Sequence, residues 1–87
     1  MDLAQARTEF LAYVAVERGL SVNTLDAYTR DLEGYLLWLN GKKITLPNQV
    51  TRSDVEEYIG SLRDLGMAPA SVERHTAALR NFHKFMA

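Results

Sequence analysis

Cysteine is absent from this chain, which excludes disulfide cross-links and thiolate-held zinc and fits a reducing compartment. Long apolar runs are absent as well, and no stretch approaches the roughly 20 residues that span a bilayer. The N-terminal segment carries Asp2 and Glu9 and has no uninterrupted apolar core, so it does not read as a signal peptide. No P-loop, glycine-rich dinucleotide turn or Ser/His/Asp cluster is present. Glu56 and Glu57 are adjacent, so on a helix they point to different sides and do not form an acid/base pair. No segment reads as a β-strand. These absences describe a small, cytoplasmic, water-soluble domain with no sequence support for catalysis of its own.

What is present is a globular composition. Hydrophobic residues make up 47% of the 87, which argues against disorder. A chain of this size is one domain and buries only about 60–65% of the surface its unfolded form exposes. That leaves little room for a deep substrate cavity. The formal net charge is −1, unlike a simple electrostatic binder of nucleic acid. The distribution is more informative. From Ala68 to Ala87 the only acid is Glu73, against Arg74, Arg80 and Lys84.

Apolar spacing and stop signals predict four helices. The first spans about Leu3 to Arg18, with Leu3, Phe10, Leu11 and Val14 inward and Gly19 closing it. The second spans about Val22 to Asn40, capped by Ser21, with Leu25, Leu32, Leu36 and Leu39 on one side and Asn40-Gly41 ending it. Lys42 to Val50 reads as an irregular or briefly extended connection. The third spans about Arg52 to Leu65, with Thr51 and Asp54 as a capping box, Val55, Ile59 and Leu62 inward, and Gly66 as the stop. The fourth spans about Pro69 to Met86, with proline in its first turn and an apolar stripe of Val72, Leu79, Phe82 and Met86. The expected fold is all-α, a compact four-helix bundle.

Two helix faces carry the functional signal. Opposite the leucine stripe of the second helix, Asn23, Ala27, Arg30 and Gly34 align, flanked by the hydroxyls of Thr24 and Tyr28. Small residues admit a bulky neighbour, while asparagine and arginine read base edges or hold phosphates. The same face also suits plain solvent exposure, and Asp26, Asp31 and Glu33 would repel a phosphate backbone. On the last helix, Ala70, Arg74, Ala77 and Asn81 form a second narrow face, bordered by Ser71, Ala78 and Lys84. Arg74 there suits either a major-groove reader or a solvated cation paired with Glu73 or another acid. Arg80, at the edge of the apolar stripe, suits an inter-helix ion pair as well as a phosphate contact. His75 falls within the arc of Val72 and Leu79 and reads as a partly buried, hydrogen-bonded residue. His75 and His83 are two turns apart, too far to share a metal without further ligands. The four tyrosines read as packing residues with wet hydroxyls. Leu37 and Trp38 point off the main stripe, to cover another helix or to meet a partner.

The stretch Leu20-Ser21-Val22-Asn23-Thr24-Leu25-Asp26-Ala27-Tyr28-Thr29-Arg30-Asp31-Leu32, followed by Trp38-Leu39, resembles the N-terminal core-binding domain of tyrosine recombinases, the phage-integrase family, most closely the Xer type. Ser71, Arg74, Ala77-Ala78-Leu79-Arg80 and the aromatic end from Phe82 to Phe85 resemble the family's last helix, and Glu17 to Leu20 its first join. Thr29 and Ala77 depart from the pattern, standing where the family has a basic residue and a serine. The resemblance implies a SAM-like four-helix bundle that grips one face of duplex DNA. A separate C-terminal domain would carry the catalytic arginines, histidine and tyrosine nucleophile, and Ala87 falls where an excised domain would end. It implies DNA contacts at Asn23, Thr24, Tyr28, Arg30, Ser71 and Arg74, with Arg80 and Lys84 as further candidates. It implies no cofactor and no metal, and partners that are double-stranded DNA and other recombinase protomers assembled on it. The isolated domain is expected to be a monomer. The competing expectation is a helical protein-interaction module without DNA affinity.

Overall fold

In the computed structural model, which describes residues 1–87, helix boundaries follow local chemistry closely. Helix α1 (Leu3–Glu17) starts at Asp2, whose carboxylate accepts the Gln5 N–H at 2.8 Å, and stops before Gly19 at φ +56°. Helix α2 (Val22–Gly41) starts at Ser21, whose hydroxyl oxygen accepts the Thr24 N–H. Helix α3 (Arg52–Asp64) starts with a reciprocal box: the Asp54 N–H donates to Thr51 Oγ1 and the Thr51 N–H to Asp54 Oδ2. Those bonds hold the Asp54 carboxyl below its ordinary range. Gly66, at φ +81°, turns the chain out of α3. Helix α4 (Pro69–Met86) has proline at its first position, where no backbone donor is needed.

Two details differ from the sequence reading. The left-handed turn after α2 falls on Lys43 (φ +64°), with Gly41 still helical. The connection to α3 is irregular, one of the two expected forms, and it holds a 3₁₀ turn, Pro47–Gln49, that the sequence reading did not place. The Gln49 side-chain oxygen accepts the N–H groups of Thr45 and Leu46, which holds that turn against its own entrance. The Leu3 N–H donates to the Thr45 carbonyl at 2.9 Å, tying the start of α1 to the end of the α2 connection.

The core lies among all four helices. Leu3, Ala6, Phe10 and Val14 face it from α1, and Val72, Ala78, Leu79 and Phe82 from α4. Tyr58, Ile59 and Leu62 close it from α3. Phe10 meets both Phe82 and Phe85 at 5.5 Å between ring centres, and Tyr13 meets Phe85 at 5.2 Å. This aromatic seam joins α1 to the C-terminal half of α4. Such pairs add about 0.5–1.5 kcal/mol each beyond area burial.

Helix α2 is rotated relative to its leucine spacing. Its fully buried residues are Leu32, Tyr35 and Leu39, with Asp31 beside them, while Leu25 and Leu36 are only half-buried. Tyr35 has no exposed surface, so its hydroxyl is not wet. Instead it lies 2.7 Å from His83 Nε2 on α4. Burial pushes the Tyr35 phenol up and the His83 ring down, so both partners of this hydrogen bond are neutral. Trp38 covers α3 by packing on Tyr58, at 5.3 Å between rings, with Lys42 Nζ 4.4 Å from its ring centre. Its neighbour Leu37 stays 66% exposed.

Candidate nucleic-acid interface

Asp31 is the centre of the site, and the polarity pattern had placed it in solvent. It is 3% exposed. Its two carboxylate oxygens accept from Arg74, Oδ2 from Nε at 2.9 Å and Oδ1 from Nη2 at 3.0 Å. A buried carboxylate needs such compensation, because an isolated one would be strongly penalised. The pairing raises the already high pKa of the Arg74 guanidinium. His75, 8% exposed, brings Nε2 to 3.2 Å from Asp31 Oδ1. Burial lowers the His75 pKa, opposed by Asp31 and assisted by Arg74. Burial therefore favours the neutral ring, and Nδ1 has no hydrogen-bond partner.

Arg74 is thus paired with an acid, but with Asp31 of α2 rather than with Glu73. Its side chain keeps 43% of its surface in water. A second contact between the same helices, Tyr35 to His83, lies further along both chains. Together the two contacts hold the middle of α2, from Asp31 to Tyr35, against α4 between Arg74 and His83.

The remaining residues sort themselves around this crossing. Arg30 is exposed, next in sequence to Asp31, and has no carboxylate within ion-pair distance. Asn23 is exposed two turns before it. Thr24 and Tyr28 are half-buried on the arc of α2 that ends in Asp31. The Thr24 hydroxyl accepts from the Ser21 hydroxyl at 2.9 Å, so it is part of the helix cap. Ser71 is half-buried one turn before Arg74, and Lys84 is exposed near the end of α4. Ala70 and Ala77 are exposed beside Arg74, as the narrow-face pattern requires.

Other expectations change. Arg80 is six residues from Arg74, about a third of a turn away around the helix. It lies in a groove with Thr51, Arg52, Glu56 and His83, toward α3. It makes no ion pair; Glu56 takes Arg52 instead, at 3.3 Å. Arg80 therefore stands apart from the Arg74 side. Gly34 is small for a packing reason: a Cβ there would lie 3.2 Å from the Tyr58 hydroxyl of α3. Thr29, where the family pattern has a basic residue, donates its hydroxyl to the Leu25 carbonyl at 2.8 Å and turns inward on its own helix. Asp26, Glu33 and Glu73 are exposed, so acidic side chains do share the surface with Arg30 and Arg74.

A signal for Asp31 was present in the sequence. Tyr28, Leu32, Tyr35 and Leu39 form an arc centred beside it. Counting the tyrosines with the leucines moves the apolar stripe onto Asp31 and marks it as a buried acid in need of a cation.

A family model described as phage integrase, N-terminal SAM-like domain, matches residues 8–87. Among curated proteins, the chain is 39% identical over 77 residues to tyrosine recombinase XerD of Staphylococcus haemolyticus, covering 88% of this chain and 26% of that protein. It is 40% identical over 79 residues to tyrosine recombinase XerD of Listeria monocytogenes, covering 90% and 27% respectively. It is 35% identical over 85 residues to tyrosine recombinase XerD of Oceanobacillus iheyensis, covering 97% and 29%. The chain therefore spans about a quarter of the length of these relatives. No solved structure matches at comparable significance.

Proposed function

The chain belongs to the family of phage-integrase N-terminal SAM-like domains, and we propose that it is the DNA-holding domain of a site-specific tyrosine recombinase. In this reading it positions duplex DNA for strand exchange by a separate C-terminal catalytic domain. Its partners are a DNA half-site and other recombinase protomers, it works in the cytoplasm, and it needs no cofactor. The relatives are named tyrosine recombinases, and no helix here is long and apolar enough to cross a membrane.

The observation that carries the reading is the Asp31–Arg74 bridge. It joins α2 to α4 at the residue next to Arg30, with Asn23 two turns before Arg30 and Ser71 one turn before Arg74. In this reading Arg30 and Lys84 serve as phosphate contacts, because neither is neutralised by a nearby carboxylate. Thr24 and Tyr28 contribute through hydroxyl and backbone groups at the start of α2. Arg80 drops to an accessory contact because it faces α3.

The test is a salt titration of duplex binding. Each neutralised phosphate contributes about −0.9 to the slope of log K against log salt. Arg30→Ala lowers the magnitude of that slope by about one, whereas Arg80→Ala, at an accessory contact, lowers it by less. A flat titration contradicts DNA binding. It would favour the second reading, a protein-interaction module, for which exposed Leu37 in a groove with Leu36 and Ile44 is the specific support.

A further inference from the structure

The guanidinium of Arg74 is held along one edge only. Nε and Nη2 donate to Asp31. Both N–H groups of Nη1 and the second N–H of Nη2 remain, and one from each nitrogen forms the end edge of a planar fork. That edge presents two parallel donors, the arrangement that meets O6 and N7 of guanine in the major groove. The side chain is 43% exposed, and the neighbouring Ala70 and Ala77 are exposed and small. No larger side chain at these two positions holds the arginine away from a groove floor.

The carboxylate that grips this fork has little freedom of its own. Asp31 is almost entirely buried, and His75 Nε2 sits 3.2 Å from Oδ1. His75 is itself buried, and its other ring nitrogen has no partner. The ring therefore lies against the acid that holds the arginine. Arg74 is also a poor general counterion. Its charge is matched at contact distance by Asp31, so the pair brings little net positive potential to a phosphate. What the pair offers is direction.

Resting on the DNA-holding reading, we infer that Arg74 reads the major-groove edge of a guanine, with Asp31 and His75 as its positioning residues. A phosphate takes the same pair of donors, but it carries no sequence information. Selectivity therefore separates the two uses of this edge.

The experiment uses the 87-residue chain and a pool of duplexes with a randomised central segment, sequencing the bound fraction at low salt. The wild-type chain, Arg74→Lys and Asp31→Asn are compared after circular dichroism melting shows each to be folded at the assay temperature. Lysine keeps the charge and can still meet Asp31, but it lacks the fork. The wild-type pool enriches guanine at one position on the order of ten-fold or more. Arg74→Lys brings that position to near parity while total binding persists. Asp31→Asn removes a negative charge and frees the arginine, so total binding rises while guanine preference falls. A wild-type pool with no preferred guanine, or a preference unchanged in either variant, overturns the inference while leaving DNA binding intact. A folded Asp31→Asn that loses total binding would make Asp31 structural support only, again against it. Failure of the wild-type chain to bind any duplex overturns the DNA-holding reading itself, and this inference with it.

Discussion

Asp31 on α2 and Arg74 on α4 are joined by two charge-assisted hydrogen bonds across 43 residues of sequence. One acid thus both anchors two helices and holds an exposed guanidinium along one edge. Its energetic weight is open to measurement. Buried pairs cost about 3–5 kcal/mol to break, but Arg74 keeps 43% of its side-chain surface in water. A coupling of about 1–2 kcal/mol is expected after solvent screening. A double-mutant cycle of Asp31→Asn and Arg74→Met, followed by urea denaturation, measures it. Additive single effects would mean that the bridge contributes nothing beyond its separate side chains.

Acid should loosen the same region. His75 and His83 both have pKa values lowered from the ordinary 6.5, chiefly by burial. The folded state therefore binds fewer protons than the unfolded state below that value. Their contribution is fully present above about pH 6.5 and is lost as pH falls through their lowered folded values. Unfolding free energy measured from pH 7.5 to 4.5 should decline over that window. His83→Gln should flatten the decline, since it removes the ring paired with Tyr35. An identical pH profile in that variant would show that His83 does not contribute.

Glycine positions test the packing on either side of the bridge. Gly60 lies within α3, and nothing comes within 4 Å of a Cβ placed there. Gly60→Ala should stabilise by about 0.5–1 kcal/mol through helix propensity. Gly34→Ala gains the same propensity but presses on the Tyr58 hydroxyl at 3.2 Å. It should therefore stabilise less than Gly60→Ala, or destabilise. Thermal melts of the two variants give the order directly, and a larger gain at Gly34 would contradict the close approach of α3.

The sequence made the helices legible because their ends are set by local chemistry: Ser21, the Thr51–Asp54 box, Pro69, Gly19 and Gly66 act within a few residues of themselves. Arg74 was legible as a candidate, standing between two alanines on a face with no bulky side chain. Its partner was not. Asp31 looked like one of three solvated acids because its compensation comes from another helix, and local spacing carries no record of that. The true rotation of α2 shows in the sequence only when Tyr28 and Tyr35 are counted with the leucines. Leucines mark a stripe by composition, whereas the buried Tyr35 hydroxyl finds its partner in His83 of another helix, 2.7 Å away. The removal of Arg80 from the Arg74 side follows from where α3 lies, which only the packed bundle fixes.

The most direct test of the central claim is an amide-shift titration of the isotope-labelled chain with a short duplex at low salt. The account predicts that the largest changes cluster from Asn23 to Asp31 and from Pro69 to Ala77, at the crossing of α2 and α4. Changes confined to α1 or to the Arg52–Arg80 groove, or no changes at all, would contradict it.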